Sequence, residues 1–415
     1  MVIGGIMTTY SIIDVANLFY RCRHVVRGDA YTKASMATAI VFRSLKKLHR
    51  EMKADHMVFC IEGRSWRYDV YPQYKAKRRM ERMVATASPA EREEEEAFNS
   101  VMNDFTNYMA EKTRCTVLQS DGIEGDDWIA RWIQLHPKDD HFILSGDSDF
   151  VQLIAPNVSI YNGVDDRLLT IDGVFEGTSR KPMVFHVDGG SGKIKVSGTI
   201  EEMRTKYDKA QREEEKKHYA SEKVRKQAHE SYQKTKAVED PNFKITPFQQ
   251  VEFVRKEFSF SPEPEWWRKA LFVKLIRGDN GDGIFSACPG ARFNGSKNKV
   301  GICEAWDDRA SQGFNWNNFM LQRWDKLIRT DDSGNTITKE VRVLDEYKFN
   351  QSLIDLTQQP DHIKDLMDQV IVQAVQKEPI GNVGIHFLRF CNQHDLPSLA
   401  KEASDHAAYL TKGYS

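Results

Sequence analysis

Four short apolar runs in the first ~155 residues, each parted from the next by a helix-like stretch, constrain this chain more than any other feature. They are Tyr10-Ser11-Ile12-Ile13-Asp14, Met57-Val58-Phe59-Cys60-Ile61-Glu62, Cys115-Thr116-Val117-Leu118 and His141-Phe142-Ile143-Leu144-Ser145. Runs of this length and composition read as buried strands, and strands alternating with helices give a largely parallel α/β sheet. Ligands of open α/β sheets bind beyond the carboxyl ends of the strands. Because three of the four runs are followed at once by acids, Asp14, Glu62, Asp147 and Asp149 are expected to converge on one sheet edge.

Two acidic runs extend that set: Ser145-Gly146-Asp147-Ser148-Asp149 and Gly278-Asp279-Asn280-Gly281-Asp282-Gly283. Adding Glu124, Asp126 and Asp127 brings the candidates to nine. Carboxylates gathered without counter-charge raise one another's pKa and destabilise the fold, so a site of this kind calls for cations. Mg²⁺ takes oxygen ligands, uses one or two carboxylates directly and leaves the others to orient its waters. Two such ions roughly 4 Å apart stabilise both the attacking and the leaving oxygen of a phosphodiester. Glu124-Gly125-Asp126-Asp127 precedes the helix-like Trp128 to Ile133, and acids in a first turn also suit the helix dipole, which is the competing account of that run. Asp279 and Asp282 follow a helix expected over Trp266 to Arg277, and their spacing puts both on one face of a turn.

A chain of 415 residues has room for two or three domains. With 59 basic against 60 acidic residues the net charge of -1 does not advertise nucleic acid, so charge distribution has to decide. Cys22, Cys60, Cys115, Cys288, Cys303 and Cys391 are dispersed without a CxxC pair, which argues for reduced thiols rather than a zinc site or disulfides. No run approaches the ~20 apolar residues of a membrane span, and Met1 to Met7 is too short for a signal peptide. A cytoplasmic protein, in the host cytoplasm if phage-encoded, with monomer as the simpler state, is the expectation.

Between Tyr74 and Glu96 the chain runs from basic (Lys75, Lys77, Arg78, Arg79, Arg82) to acidic (Glu91 to Glu96). Such a run is either a solvated helix face or, directly after a strand bearing an acid, a clamp for substrate phosphates. Residues 156–245 look like an insertion, with a hairpin of Met183 to Val187 and Lys193 to Val196 joined by Asp188 to Gly192. Gly192-Lys193 is no P-loop, because the first glycine is missing and Ile194 stands where Ser or Thr belongs. Thr199 and Glu202 form a capping box that opens a highly charged helix to about Lys236, read as exposed, mobile or paired, with a DNA or partner contact as the other reading. Thr246, Pro247 and Gln249 mark a further helix start. The glycine-rich basic connector from Pro289 to Gly301 is a plain turn or a cradle for a DNA phosphate and a monovalent cation, with Lys297 and Lys299 adding charge.

On Ile13-Asp14-Val15-Ala16-Asn17, Gly122 to Asp127, Ser145 to Asp149 and Gly278 to Gly283, the chain resembles the flap endonuclease family of structure-specific 5′ nucleases, most closely bacteriophage members including the T4-type RNase H. The resemblance covers about residues 10 to 155 and 246 to 325. It implies a PIN-like α/β nuclease domain (1–155) with a central, mainly parallel sheet and a helical arch around 70–100. A charged hairpin-plus-helix insertion (156–245) and a mainly helical C-terminal DNA-binding region (246–415) with a helix-three-turn-helix element would follow.

By motif, Asp14, Glu62, Glu124, Asp126, Asp127, Asp147, Asp149, Asp279 and Asp282 match the family's metal site for Mg²⁺ or Mn²⁺, two ions being implied. Glu62 departs from the usual Asp. The arch's catalytic Lys and Arg fall among Lys77, Arg78, Arg79 and Arg82, with Lys75 as a DNA contact. Gly290, Gly295, Ser296, Lys297, Lys299 and Gly301 match a duplex-binding hairpin with a K⁺ site, though this hairpin is longer than usual. The implied activity is 5′-3′ exonuclease and flap endonuclease cleavage of DNA with 5′ flaps or ends and of RNA-DNA hybrid primers, beside single-strand-binding or replisome proteins. A ribonuclease acting on RNA alone and a non-catalytic DNA-junction scaffold are the alternatives.

Overall fold

In β1 (Thr9–Asp14) and β2 (His56–Cys60) nearly every side chain is buried, which only a sheet covered on both faces permits. The computed structural model describes residues 7–25, 27–85, 88–177, 179–187, 194–330 and 336–414. Tyr10, Ile12, Val58 and Cys60 point into one apolar core, while Ile13, Met57 and Phe59 point into the other, as a period of two requires. The sheet continues with β3 (Thr116–Leu118), β4 (Asp140–Leu144), β5 (Val158–Asn162), β6 (Arg167–Thr170), β7 (Gly173–Glu176), β8 (Pro182–Val187) and β9 (Ile194–Thr199), in the order β3-β2-β1-β4-β5-β6-β7-β8-β9. The five strands from β3 to β5 are parallel. From β5 onward the pairing is antiparallel, so residues 158–199 lengthen the same sheet as a meander. The connector expected at Asp188 to Gly192 lies outside the described residues.

On one face lie α1 (Val15–Val25), α2 (Ala30–Met52) and α5 (Pro89–Lys112). Between β2 and α5 come α3 (Arg67–Val70) and α4 (Ala76–Ala85). Ser88 and Glu91 close a capping box at the start of α5, with Pro89 in its first turn. The other face carries α6 (Gly125–Leu135), then α8 (Trp266–Arg277), α9 (Ile302–Asp307), α10 (Phe314–Met320), α11 (Val343–Ile354) and α12 (Asp361–Val375). A two-stranded ribbon, β10 (Arg323–Thr330) with β11 (Thr336–Arg342), separates α10 from α11. The chain ends by returning to the first face: Phe387 and Phe390 of α13 (Val383–Gln393) pack edge-on against Phe42, and Tyr409 and Leu410 of α15 (Ala403–Leu410) are fully buried, after the short α14 (Pro397–Ala400). No described helix is long and apolar enough to cross a membrane, and all six cysteines are free.

The charged helix is α7 (Ile200–Glu239), with the expected Thr199/Glu202 capping box. The helix start read at Thr246 is wrong: residues 244–263 carry no regular secondary structure and run along α7. Side chains of α7 bind the backbone that a helix would have used. Gln211 takes both the N–H and the carbonyl of Lys256. His218 and Glu222 take those of Val251, and His229 and Gln233 those of Thr246. Phe258, Phe253 and Phe248 lie against Tyr207, His218 and His229. The contacts repeat every eleven residues on the helix and every five on the strap. At ~1.5 Å per helical residue and ~3.3 Å per extended one, both advance about 16.5 Å. Helix and extended chain therefore stay in register.

Candidate metal and phosphate site

Sheet order 3-2-1-4-5 reverses direction between β1 and β4, whose carboxyl ends form the crevice where such sheets bind ligands. Asp14 ends β1, and Asp147 follows β4 as the N-cap of the 3₁₀ turn Ser148–Leu153. Ser145 couples them: its Oγ donates to Asp14 Oδ2 (2.9 Å) and accepts from the Asp147 N–H (3.0 Å). Asp14 also accepts from the Asn17 N–H at 3.0 Å. Burial drives its pKa up to about 7, with Asp147 and Glu62 adding repulsion and the two hydrogen bonds opposing. Glu62, two residues past the end of β2, accepts from the Gly125 N–H at 2.9 Å and is raised by burial. Asp126, in the first turn of α6, is pushed well above the carboxylate range by burial and by Asp14, Glu62, Asp147 and Asp149.

Glu124 and Asp127 face another way. The guanidinium of Arg67, only 2 % exposed, grips Asp127 with both terminal nitrogens (2.9 and 3.0 Å) and Glu124 with one (2.8 Å), while its Nε donates to the Leu353 carbonyl. Trp66 Nε1 (3.0 Å) and Gln359 Nε2 (3.4 Å) also donate to Asp127, which is wholly buried. Both Asp127 oxygens are thus engaged by Arg67, Trp66 and Gln359 on the side away from Asp126, whereas the motif implies a metal ligand. Glu124 is shared: Ser65 Oγ (2.5 Å), Tyr74 and the Lys75 ammonium reach it too. Burial opposes its ionisation, and the two cations outweigh burial to hold it below the usual range.

The second half of the chain brings Asp279 and Asp282. Gly278 has φ +73, and a Cβ there would stand 2.3 Å from the Ile284 carbonyl, so glycine is required to start this loop. Asp279 accepts from the Gly281 and Asp282 N–H groups at 2.8 and 3.2 Å. Asn350 braces the loop by donating to the Leu275 and Phe285 carbonyls. Lys274, in the last turn of α8, bridges Asp149 and Asp279, lying 2.8 Å from the latter. Burial lowers the affinity of Lys274 for its proton, and the two aspartates more than restore it.

Of the basic run, the structure brings Lys75 and Arg78 to the acids. Lys75, in a left-handed conformation, donates its N–H to the Asp282 carbonyl and turns its ammonium to Glu124, with Glu62 at 3.8 Å. Arg78 lies 3.1 Å from Asp282. Lys77 points to solvent with its side chain 73 % exposed, and Arg79 stacks over Tyr68 and donates to the Pro72 carbonyl, so neither reaches the acids. The side chain of Arg82 lies outside those described.

Sequence reasoning missed Arg67, Trp66, Tyr74, Lys274 and Asn350. For Lys274 a signal existed, a cation five residues before Asp279, yet a basic residue in a last turn is also ordinary dipole complement.

Nine carboxylates meet four cations, Arg67, Lys75, Arg78 and Lys274, so up to five negative charges are left uncompensated. Burial first, and repulsion among these acids after it, raises the pKa values of Asp14, Glu62, Asp126, Asp147 and Asp282. The lysine ammonium groups divide the acids into pairs, and among the described residues no three acids form a finished chelate. An all-oxygen donor set with surplus negative charge fits hard divalent cations. A cavity of about 420 Å³ opens over Asp147, Asp149, Lys274, Asp279 and Arg78.

The connector after the acidic loop turns back at a bridge between Ser296 and Lys299, so Ser296 to Lys299 form an exposed tip with Lys297 at its apex. Gly295 and Gly301 lie back to back at its base, and Gly290 takes φ +74 at the preceding turn.

A family model of the 5′-3′ exonuclease N-terminal, resolvase-like domain matches residues 9–178. Among solved structures the chain is similar to bacteriophage T5 5′-exonuclease with divalent zinc ions bound, at 15% identity over 96% of this chain and 99% of that chain, with a TM-score of 0.43. It is likewise similar to bacteriophage T5 flap endonuclease in a pseudo-enzyme-product complex with DNA and metal ions, at 15% identity over the same shares and a TM-score of 0.41.

Proposed function

We propose, from the premise that residues 9–178 belong to the 5′-3′ exonuclease family as its N-terminal resolvase-like domain, that this protein is a metal-dependent, structure-specific 5′ nuclease. It would hydrolyse phosphodiesters at 5′ ends and 5′ flaps, including RNA primers on DNA. The observation that carries this reading is the excess of carboxylates at the β1/β4 crevice, faced by Lys75 and Arg78 from the segment after β2.

Asp14, Asp126 and Asp147, with Asp149, Glu62, Asp279 and Asp282 around them, would hold Mg²⁺ or Mn²⁺, two ions being the working number. Bound there, these ions supply Lewis acidity and water activation. Lys75 and Arg78 neutralise charge on the scissile phosphate and orient it. Tyr74, whose hydroxyl donates to Glu124 and Asp282, ties the segment that carries them to both halves of the acid set. Arg67 fixes Glu124 from beneath. Lys297 and Lys299 at the exposed tip take phosphates of the duplex, so selectivity follows structure rather than base sequence.

The test is a panel of 5′-flap, 3′-flap and RNA-primed duplexes with Mg²⁺, Mn²⁺ or chelator, with and without K⁺. Mg²⁺-dependent release of 5′ products is the expected result. Equal cutting of 3′ flaps, or cutting in chelator, would overturn the proposal, and activity on single-stranded RNA alone would replace it with an RNA-only ribonuclease.

A further inference from the structure

The N–H groups of Gly295 and Gly301 are the donors a duplex phosphate would ordinarily seek in a glycine-rich turn, yet both are already bound inside the protein. Glu304, in the first turn of α9, accepts from the Gly295 N–H with both carboxylate oxygens (2.9 Å each) and from the Gly301 N–H with Oε2 (2.9 Å). The two glycines meet so closely that neither tolerates a side chain. A Cβ on Gly295 would lie 2.6 Å from the Lys299 carbonyl, and one on Gly301 would lie 2.4 Å from the Gly295 nitrogen. Within this closure Ser296 and Lys299 exchange backbone hydrogen bonds (2.8 and 3.1 Å), and Ser296, Lys297, Asn298 and Lys299 are all exposed. The closed loop sits on α9 through the Ile302 and Cys303 N–H groups, which donate to the Arg292 and Phe293 carbonyls.

We propose that Glu304 is a positioning residue for duplex binding: its carboxylate occupies the anion seat at the base of the 295–301 loop and thereby sets Lys297 and Lys299 as the phosphate contacts. This inference rests on the proposed nuclease reading and refines it. Gly295 and Gly301 shape the loop and do not touch DNA themselves. A phosphate entering their seat would have to displace a carboxylate held by three hydrogen bonds, with Lys269 the nearby cation acting on it. A phosphate approaching the tip meets two lysines and displaces nothing.

The experiment measures binding of the full-length protein to a 5′-flap duplex across a salt series in chelator, together with KM and kcat in Mg²⁺. Glu304→Ala, and Gly295→Ala as a variant that opens the same closure without changing charge, are each expected to weaken binding about five- to tenfold, from the ordering lost at the loop. Both should raise KM rather than lower kcat. Both should also flatten the salt dependence toward that of Lys297→Ala/Lys299→Ala, which loses up to about 1.8 in slope for two phosphate contacts. General destabilisation would leave that slope unchanged.

Tighter binding by Glu304→Gln would mean that the carboxylate is a placeholder which phosphate displaces, and would overturn the inference. Unchanged binding by Glu304→Ala while the double lysine variant binds poorly would overturn it too. If the unmodified protein shows no salt-dependent duplex binding, the nuclease reading itself falls.

Discussion

Asp127 and Asp126 are neighbours with opposite expected behaviour. Asp127 is wholly buried and accepts two hydrogen bonds from Arg67, one from Trp66 and one from Gln359. In Asp127→Asn a single carbonyl oxygen must serve those donors, an amide NH₂ faces guanidinium, and Arg67 stays charged at 2 % exposure. Arg67 keeps Glu124 but loses one of its two buried counter-charges, which costs about 3 kcal/mol, the low end for a broken buried pair. With an unfolding entropy of about 2.1 cal/mol/K per residue, the 415-residue chain should lose about 3 °C in melting temperature.

Asp126→Asn removes a carboxyl whose ionisation burial and then its acidic neighbours oppose, so the metal-free variant should melt at or above the unsubstituted protein. The metal response inverts the order. Mg²⁺ at a hundredfold over its Kd adds about 2.7 kcal/mol, or about 3 °C here. Asp127→Asn should keep that increment and Asp126→Asn should lose it. Thermal melts of the three proteins with Mg²⁺ and with chelator decide the matter. The reasoning fails if Asp127→Asn melts within a degree of the unsubstituted protein in chelator while losing the Mg²⁺ increment.

Lys75→Ala should slow flap cleavage at saturating substrate by about 10²–10³-fold, whereas Lys77→Ala, at a solvent-facing position, should stay within about twofold; equal losses would restore the whole basic run to the site. Gln211→Ala with Gln233→Ala removes four hydrogen bonds to the strap at Thr246 and Lys256. Limited proteolysis should then cut residues 244–258 on the order of tenfold faster. His56 is buried between Thr116 Oγ1 and the Lys412 carbonyl, and burial lowers its pKa to about 4. As pH falls from about 6.5 to about 4 the unfolded chain takes up a proton that the folded one refuses, so stability is lost in that window and is level above it, by up to about 3 kcal/mol. Denaturation of His56→Gln beside the unsubstituted protein should show a shallower loss over that range.

The Ser145 and Gly278 runs, the strand-end acids and the Thr199 capping box were legible because each rests on a local rule: a strand's alternation, a glycine's φ or a cap's spacing. Tertiary contacts overrode such rules at Thr246, where a sound helix start lost to side chains of α7 that bind the strap's backbone.

By itself the sequence determined the parallel strands, the sheet edge to which the acids go and the excess of negative charge waiting there. Only the folded chain decided what each acid does. Asp126 and Asp127 differ by one position, about 100° around a helix, and that rotation sends one carboxylate toward Asp14 and the other to Arg67. Likewise Lys75 and Lys77 are alike in chemistry and near in sequence, and only the turn at Lys75 aims one at Glu124 while the other points to water. Which charge meets which is a long-range matter, fixed by partners such as Lys274 and Leu353 that lie far along the chain.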